Sequence, residues 1–302
     1  MDKKFAVRKS LYKTGICSFF NPGISIYNKN ILKTNLGFKK KFFLLIKRKN
    51  ETFHKIKGKL FNLLKNLFNL HPNFILVAGK SCKKNIQGYC KKNNIKIIDG
   101  HSWDYSSILR KREKKIFFRN YALYLDAPGP KFISDSNIFK EQFPETVEHT
   151  YPSLNRFFTF FENYNKIDVI VAPHPKTKIR DRSPLFYKRR VIAGKTKELV
   201  KNCEFIITRN STAVAFAAYY KKPIILFFTD ESKNTESARI SDELAKSLGV
   251  CLINIDELKL INIKKIFNFK KKFYQQYLNN FCTTKRNFLP NYKLIINLLN
   301  ND

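Results

Sequence analysis

One histidine stands between two prolines at the end of an apolar run. The stretch is VIVAPHPKTK, Val169 to Lys178. Pro173 and Pro175 restrict the backbone on both sides of His174 and leave its imidazole few directions to point. Lys176, Lys178, Arg180 and Arg182 follow. A held imidazole followed by cations suits a phosphate or pyrophosphate. The same residues also suit a tight turn whose histidine caps a carbonyl. A second stretch, TRNSTAVAFAAYYKKP (208–223), places Asn210, Ser211 and Thr212 where an Ala-rich helix should begin. Free N–H groups and partial positive charge make such a start an anion site. Ser or Thr there also caps the helix, and the two roles coexist. A third candidate is Asp126, which ends YALYLD and precedes Ala127-Pro128-Gly129. A carboxylate in that position serves as a general base or closes an Asx turn. His101, Asp104 and Tyr105, in GHSWDYSSIL, are candidates for the same cleft.

Other chemistries are unsupported. GKS (79–81) and GKT (194–196) resemble the end of a phosphate-binding loop, but Phe74 and Arg189 stand where its first glycine belongs. The five histidines lack ligand-like spacing, and none of the six cysteines forms a CxxC pair, so neither a metal nor another cofactor is implied.

These residues need elements to hold them. NFILVAG (73–79), IKIID (95–99) and YALYLDA (121–127) read as strands, with a helix over 82–92. A Pro-containing acidic stretch, 135–152, reads as a linker bracketed by Pro144 and Pro152. The pattern then restarts. A helix is predicted over 153–164 with Ser153 as its cap, and a strand over 168–172. Helices over 195–202, 212–220 and 235–247 lead to strands at 204–208, 223–228 and 250–255. Strands alternating with helices predict an α/β fold with parallel sheets. The division expected is a basic domain over 1–145, facing acceptor and membrane, and a nucleotide-binding domain over 146–302. Ligands of such sheets sit beyond the carboxyl ends of the strands, where His174, Asp126 and Ser211 fall.

The formal charge is +35 over 302 residues. Lys, Asn, Ile and Phe, all with A/T-rich codons, dominate the composition, which inflates lysine without functional demand. Yet in the first 70 residues only Asp2 and Glu51 are acidic. That asymmetry points to an anionic partner for the N-terminal part: membrane lipid, nucleic acid or a phosphorylated substrate. KLFNLLKNLFNL (59–70) has helical spacing; it suits packing on a sheet or lying on an anionic membrane. No stretch reaches the ~18 apolar residues that span a bilayer, and no secretory signal is visible. The expected location is cytoplasmic, peripheral to the inner face of the membrane.

The run YPSLNRFFTFFE, VIVAPHPKT, AGKTKELVKNCEFIITRNSTAVAFAAYYKKPIILF resembles the C-terminal half of bacterial GT-B-type glycosyltransferases of surface-polysaccharide assembly. The His-Pro step followed by Ser-Thr is similar to the motif pair of sialyltransferase and Kdo-transferase-like enzymes. The resemblance covers 150–230 well and 73–135 loosely. It implies two Rossmann-like domains facing a cleft and a nucleotide-sugar donor, CMP-linked and acidic in the nearest families. It also implies a glycan or glycolipid acceptor. His174, Pro175, Lys176, Asn210, Ser211 and Thr212 would bind the donor, with His174 also catalytic, and Asp126 would be the base. The families often carry a second acid or Gly after that Asp, where this chain has Ala127. Two other functions remain open from the sequence: a nucleotide-sugar epimerase on the same fold, and a basic nucleic-acid-binding protein, against which the absence of RRM, KH or zinc-finger signatures counts.

Overall fold

A computed structural model describes residues 18–20, 72–110, 120–127, 145–175, 183–262, 269–284 and 288–300. The amphipathic segment 59–70, Lys176 and the Pro-Gly step after Ala127 lie outside the described residues. Contacts divide the chain into two compact units. One holds most of the first sheet with Lys83–Ile98; the other holds Ala78–Cys82 and Asp99–Asp302.

The first unit carries a three-stranded sheet in the order β1-β2-β3: Ser18–Phe20, Phe74–Ala78 and Lys96–Gly100. β1 runs parallel to β2, with Phe19 opposite Leu76. Helix α1, Gly79–Lys92, follows β2.

The second unit is built on a parallel five-stranded sheet. Its strands are β4 (Tyr121–Leu125), β5 (Asp168–Ala172), β6 (Phe205–Thr208), β7 (Ile224–Phe228) and β8 (Leu252–Asn254), ordered β5-β4-β6-β7-β8. β4 is the interior strand that bonds both β5 and β6. β4 lies before the expected division at 145/146 and hydrogen-bonds into this sheet. Tyr121–Leu125 is buried along its whole length, as a strand covered on both faces must be. Its side chains alternate between two cores. Leu123 and Leu125 face one, with helices α4 (Thr196–Asn202), α5 (Val214–Tyr220) and α6 (Glu236–Leu248) on that side. Ala122 and Tyr124 face the other, under helix α3 (Val147–Asn165).

α3 shows how the sequence makes its layer. Leu154, Phe157, Phe158 and Phe161 recur at helical spacing and are fully buried. Each buried Phe contributes roughly 1.5–3 kcal/mol. The helix starts earlier than predicted. Thr146 is its cap, accepting from the His149 amide at 3.2 Å, and Pro152 lies inside it. Ser153 is buried and accepts from Arg156 instead of capping. The stretch 145–152 is therefore a helix entrance and not a linker. At the far end of α3, Arg189 bonds Glu162 through Nε (2.9 Å) and Nη2 (2.6 Å), Asn155 (2.8 Å) and Thr159 (3.0 Å), and lies over the Phe158 ring. Glu162 also accepts the Val169 amide at 2.9 Å, which ties the start of β5 to the helix.

The chain closes with α7 (Lys271–Tyr277), a π-turn over Leu278–Cys282 and α8 (Asn291–Asn300). Among the described residues no helix is long and apolar enough to cross a membrane.

Candidate active site

In chain order the strands of the larger sheet run 2-1-3-4-5. The chain leaves β4 for β5 on one side, then crosses back past β4 to β6 on the other, so the switch point lies between the carboxyl ends of β4 and β6. Open parallel sheets bind ligands there. Asp126 follows β4 and Arg209 follows β6, in register after the Leu125–Thr208 pair. The Thr208 hydroxyl donates to the Leu125 carbonyl at 3.0 Å, and the Asp126 amide to Ala172 at 3.0 Å. These bonds hold three strand ends level.

His174 lies two residues past β5, half-buried, after a buried Pro173 and before an exposed Pro175. Asp126 therefore stands on the strand between His174 and residues 209–212. The resemblance implied an Asp across a cleft, on the N-terminal domain. β4 instead hydrogen-bonds into the same sheet as the donor motifs, so base candidate and phosphate candidates share one edge.

The Ser-Thr step differs in detail. α5 begins at Val214, and its cap position, Ala213, makes no side-chain capping bond. Val214, Ala215 and Phe216 donate to carbonyls three residues back, Ser211, Thr212 and Ala213, so the chain enters the helix through a tight turn. The Ser211 hydroxyl accepts the Ala213 amide at 3.3 Å. The resulting helix has seven residues; the predicted dipole site at its tip gives way to individual hydroxyls and amides. Asn210 donates to Ser237 at 3.2 Å, at the start of α6.

Thr212 meets a residue from the other candidate stretch. It hydrogen-bonds Asp104, on helix α2 (Trp103–Ile108), whose carboxyl is raised by burial and lowered in part by that bond. Tyr105 packs edge-on against Tyr219 of α5 at 5.7 Å, and burial raises its phenol. His101 is a structural residue. It is buried, its Nδ1 lies 2.9 Å from the Thr283 hydroxyl, and its backbone exchanges two hydrogen bonds with the Asn291 side chain. Burial lowers its pKa. Thus Asp104 and Thr212 come together, while the His101 ring is spent on packing.

Three acidic groups, a guanidinium and an imidazole escaped the sequence reading. Glu145, just before α3, ion-pairs with Arg209, and both are buried. Arg209 sits directly after an apolar strand, a signal that was legible; Glu145 was hidden in an acidic stretch read as a linker. His149, in the first turn of α3, lies 3.4 Å from Glu231 and 3.7 Å from Asp256, which follow β7 and β8. A cleft of about 730 Å³ opens elsewhere, at the amino ends of β4 and β5, beside Asn120, Asp168, Tyr187, Lys188 and Arg190. At ~3.3 Å per residue, it is about 15 Å of strand from the switch point, so it is distinct from the candidate site.

No protein-family model and no curated protein matches the chain. Among solved structures it is similar to a UDP-GlcNAc 2-epimerase from Methanocaldococcus jannaschii in complex with UDP-GlcNAc and UDP, at 15% identity and a TM-score of 0.42, over 76% of this chain and 62% of that one. It is similar to the wall teichoic acid polymerase TagF at 14% identity and TM-score 0.42, over 78% of this chain and 60% of that one. The glycosyltransferase SnogD from Streptomyces nogalater gives 7% identity and TM-score 0.37, over 79% and 75%. The chain thus spans about three fifths of the first two proteins. These likenesses carry no activity across; the parallel α/β architecture stands on its own strand ladders.

Proposed function

We propose that the chain is a GT-B-like glycosyltransferase that moves a sugar from a nucleotide-activated donor to a cell-surface glycan or lipid-linked acceptor. A CMP-linked acidic sugar is the narrower choice of donor. One observation carries this reading: Asp126 stands at the sheet's switch point, with His174 on one flanking strand end and residues 209–212 on the other.

Neighbouring strands are about 4.8 Å apart, a spacing that suits a base and a phosphate site flanking one anomeric carbon. In the proposed reaction the acceptor oxygen bonds to that carbon as its bond to the donor phosphate oxygen breaks. The acceptor's proton goes to Asp126 and the electron pair to the phosphate. His174 and the hydroxyls and amides of 210–212 hold the growing phosphate charge. Groups fixed in advance stabilise that charge more than the ground state, which lowers the barrier. The basic N-terminal part would lean on the inner membrane leaflet, where lipid-linked acceptors reside.

Calorimetry with CMP and with cytidine tests the donor site. CMP should bind more tightly than cytidine in the wild type, and His174→Ala should remove that preference. Equal binding of the two, or a preference that survives the substitution, overturns the reading. Donor incubated alone separates transfer from epimerisation: an isomerised sugar nucleotide would mark an epimerase. Sedimentation with anionic liposomes against duplex DNA tests the partner, and preference for DNA would remove the membrane role.

A further inference from the structure

Asp126 and Arg209 are the next pair in the register of β4 and β6 after Leu125 and Thr208. Both side chains lie on the α3 side of the sheet, because Tyr124 and Ile207, two residues earlier on each strand, belong to that core. Glu145 reaches Arg209 from just before α3. Asp126, Arg209 and Glu145 are 4%, 3% and 6% exposed. One buried cation therefore bonds one carboxylate, Glu145, and stands beside a second, Asp126, where water barely reaches. The Arg209 Nη1 donates to Glu145, and Nε makes no hydrogen bond among the described residues. Burial alone would depress the guanidinium; Glu145, Tyr124 and Asp126 together hold it above its ordinary value.

We propose that Arg209 and Glu145 are the positioning pair of Asp126: Arg209 holds that carboxylate at the switch point, and Glu145, by taking the guanidinium's hydrogen bond, limits the charge that Asp126 feels. The inference rests on Asp126 being the base. A carboxylate that owns a buried guanidinium outright is a poor proton acceptor, because the opposite charge favours its ionised form. Sharing the cation keeps Asp126 oriented and still basic. Among the described residues, the Tyr124 hydroxyl donates to Asp126 Oδ1 at 3.4 Å on its own strand, and His174 lies beyond the neighbouring end of β5.

The test reads Asp126 directly, by ¹³C NMR titration of carboxyl-labelled protein, with the resonance assigned from Asp126→Asn. Glu145→Gln hands the guanidinium to Asp126 and should lower the pH at which it titrates; Arg209→Met should raise it, each by about 1–3 units. Arg209→Lys keeps a cation in case the Met variant does not fold, and should give a smaller rise. A purely structural role would cost stability without opposed shifts. Shifts of the same sign, or none, overturn the inference. Failure of the base itself would look different: Asp126→Asn would turn over donor at the wild-type rate while the opposed shifts persist.

Discussion

Removing Arg189 should destabilise the larger unit far more than an ordinary surface arginine would. Its guanidinium makes two bonds to Glu162, one to Asn155 and one to Thr159, and stacks over Phe158. The side chains of the ion pair are 11% and 22% exposed, so the pair lies between a surface bridge, worth about 0–1 kcal/mol, and a fully buried one, whose breakage costs about 3–5 kcal/mol. Arg189→Met should therefore cost about 2–4 kcal/mol, with Asn155 and Glu162 left short of a donor. Glu162→Gln keeps an acceptor for the Val169 amide and should cost less. Urea denaturation followed by far-UV circular dichroism gives both numbers, and the double variant gives their coupling, expected at about 1–3 kcal/mol. A cost below about 1 kcal/mol for Arg189→Met, or coupling within about 0.3 kcal/mol of zero, would refute the claim that this end of the sheet is held by one shared carboxylate.

Gly249 closes α6 at φ +64°, and an added Cβ would collide with the Phe273 ring. Gly249→Ala should cost about 2–4 kcal/mol, from the left-handed backbone and the displaced ring, seen as a lowered Tm. Asp104 has its pKa raised in the fold, so its stabilising contribution is complete below the ordinary carboxylate pKa and is lost as pH rises through the raised value. Asp104→Asn should thus raise Tm relative to wild type more at about pH 7 than at about pH 3; equal differences would contradict this. Burial pushes Cys82 up to about 11, and Cys203 and Cys282 up to about 12. Iodoacetamide on the native protein, read by mass spectrometry, should label half-buried Cys251 before any of these three.

The strands were legible because apolar runs of five residues bounded by Pro, Lys and Asn have few other uses. DVIVA and FIIT appear within a residue of their predicted bounds. Which sheet a strand joins was not legible. YALYL is buried on both faces and would suit either unit; only its ladders to β5 and β6 decide. The entrance of α3 was hidden by Pro152, which reads as a breaker and yet lies within the helix. At the site, His174, Asp126 and Ser211 stood out because each follows an apolar run. Arg209 and Glu145 find each other across 64 residues, and no local spacing announces such a pair.

The Glu162 carboxylate that takes the Val169 amide has a reach beyond its own neighbourhood. β5 is a short rod pinned at its second residue to helix α3, and His174 rides beyond its opposite tip. A slip of one residue would turn every β5 side chain to the other face and carry the imidazole away from Asp126. The Glu162 tie lies at the amino edge of the sheet, and His174, Asp126 and residues 209–212 lie at its carboxyl edge. Segments that join the strands at the carboxyl edge can therefore lengthen, shorten or change composition during evolution without disturbing the register that sets His174 beside Asp126.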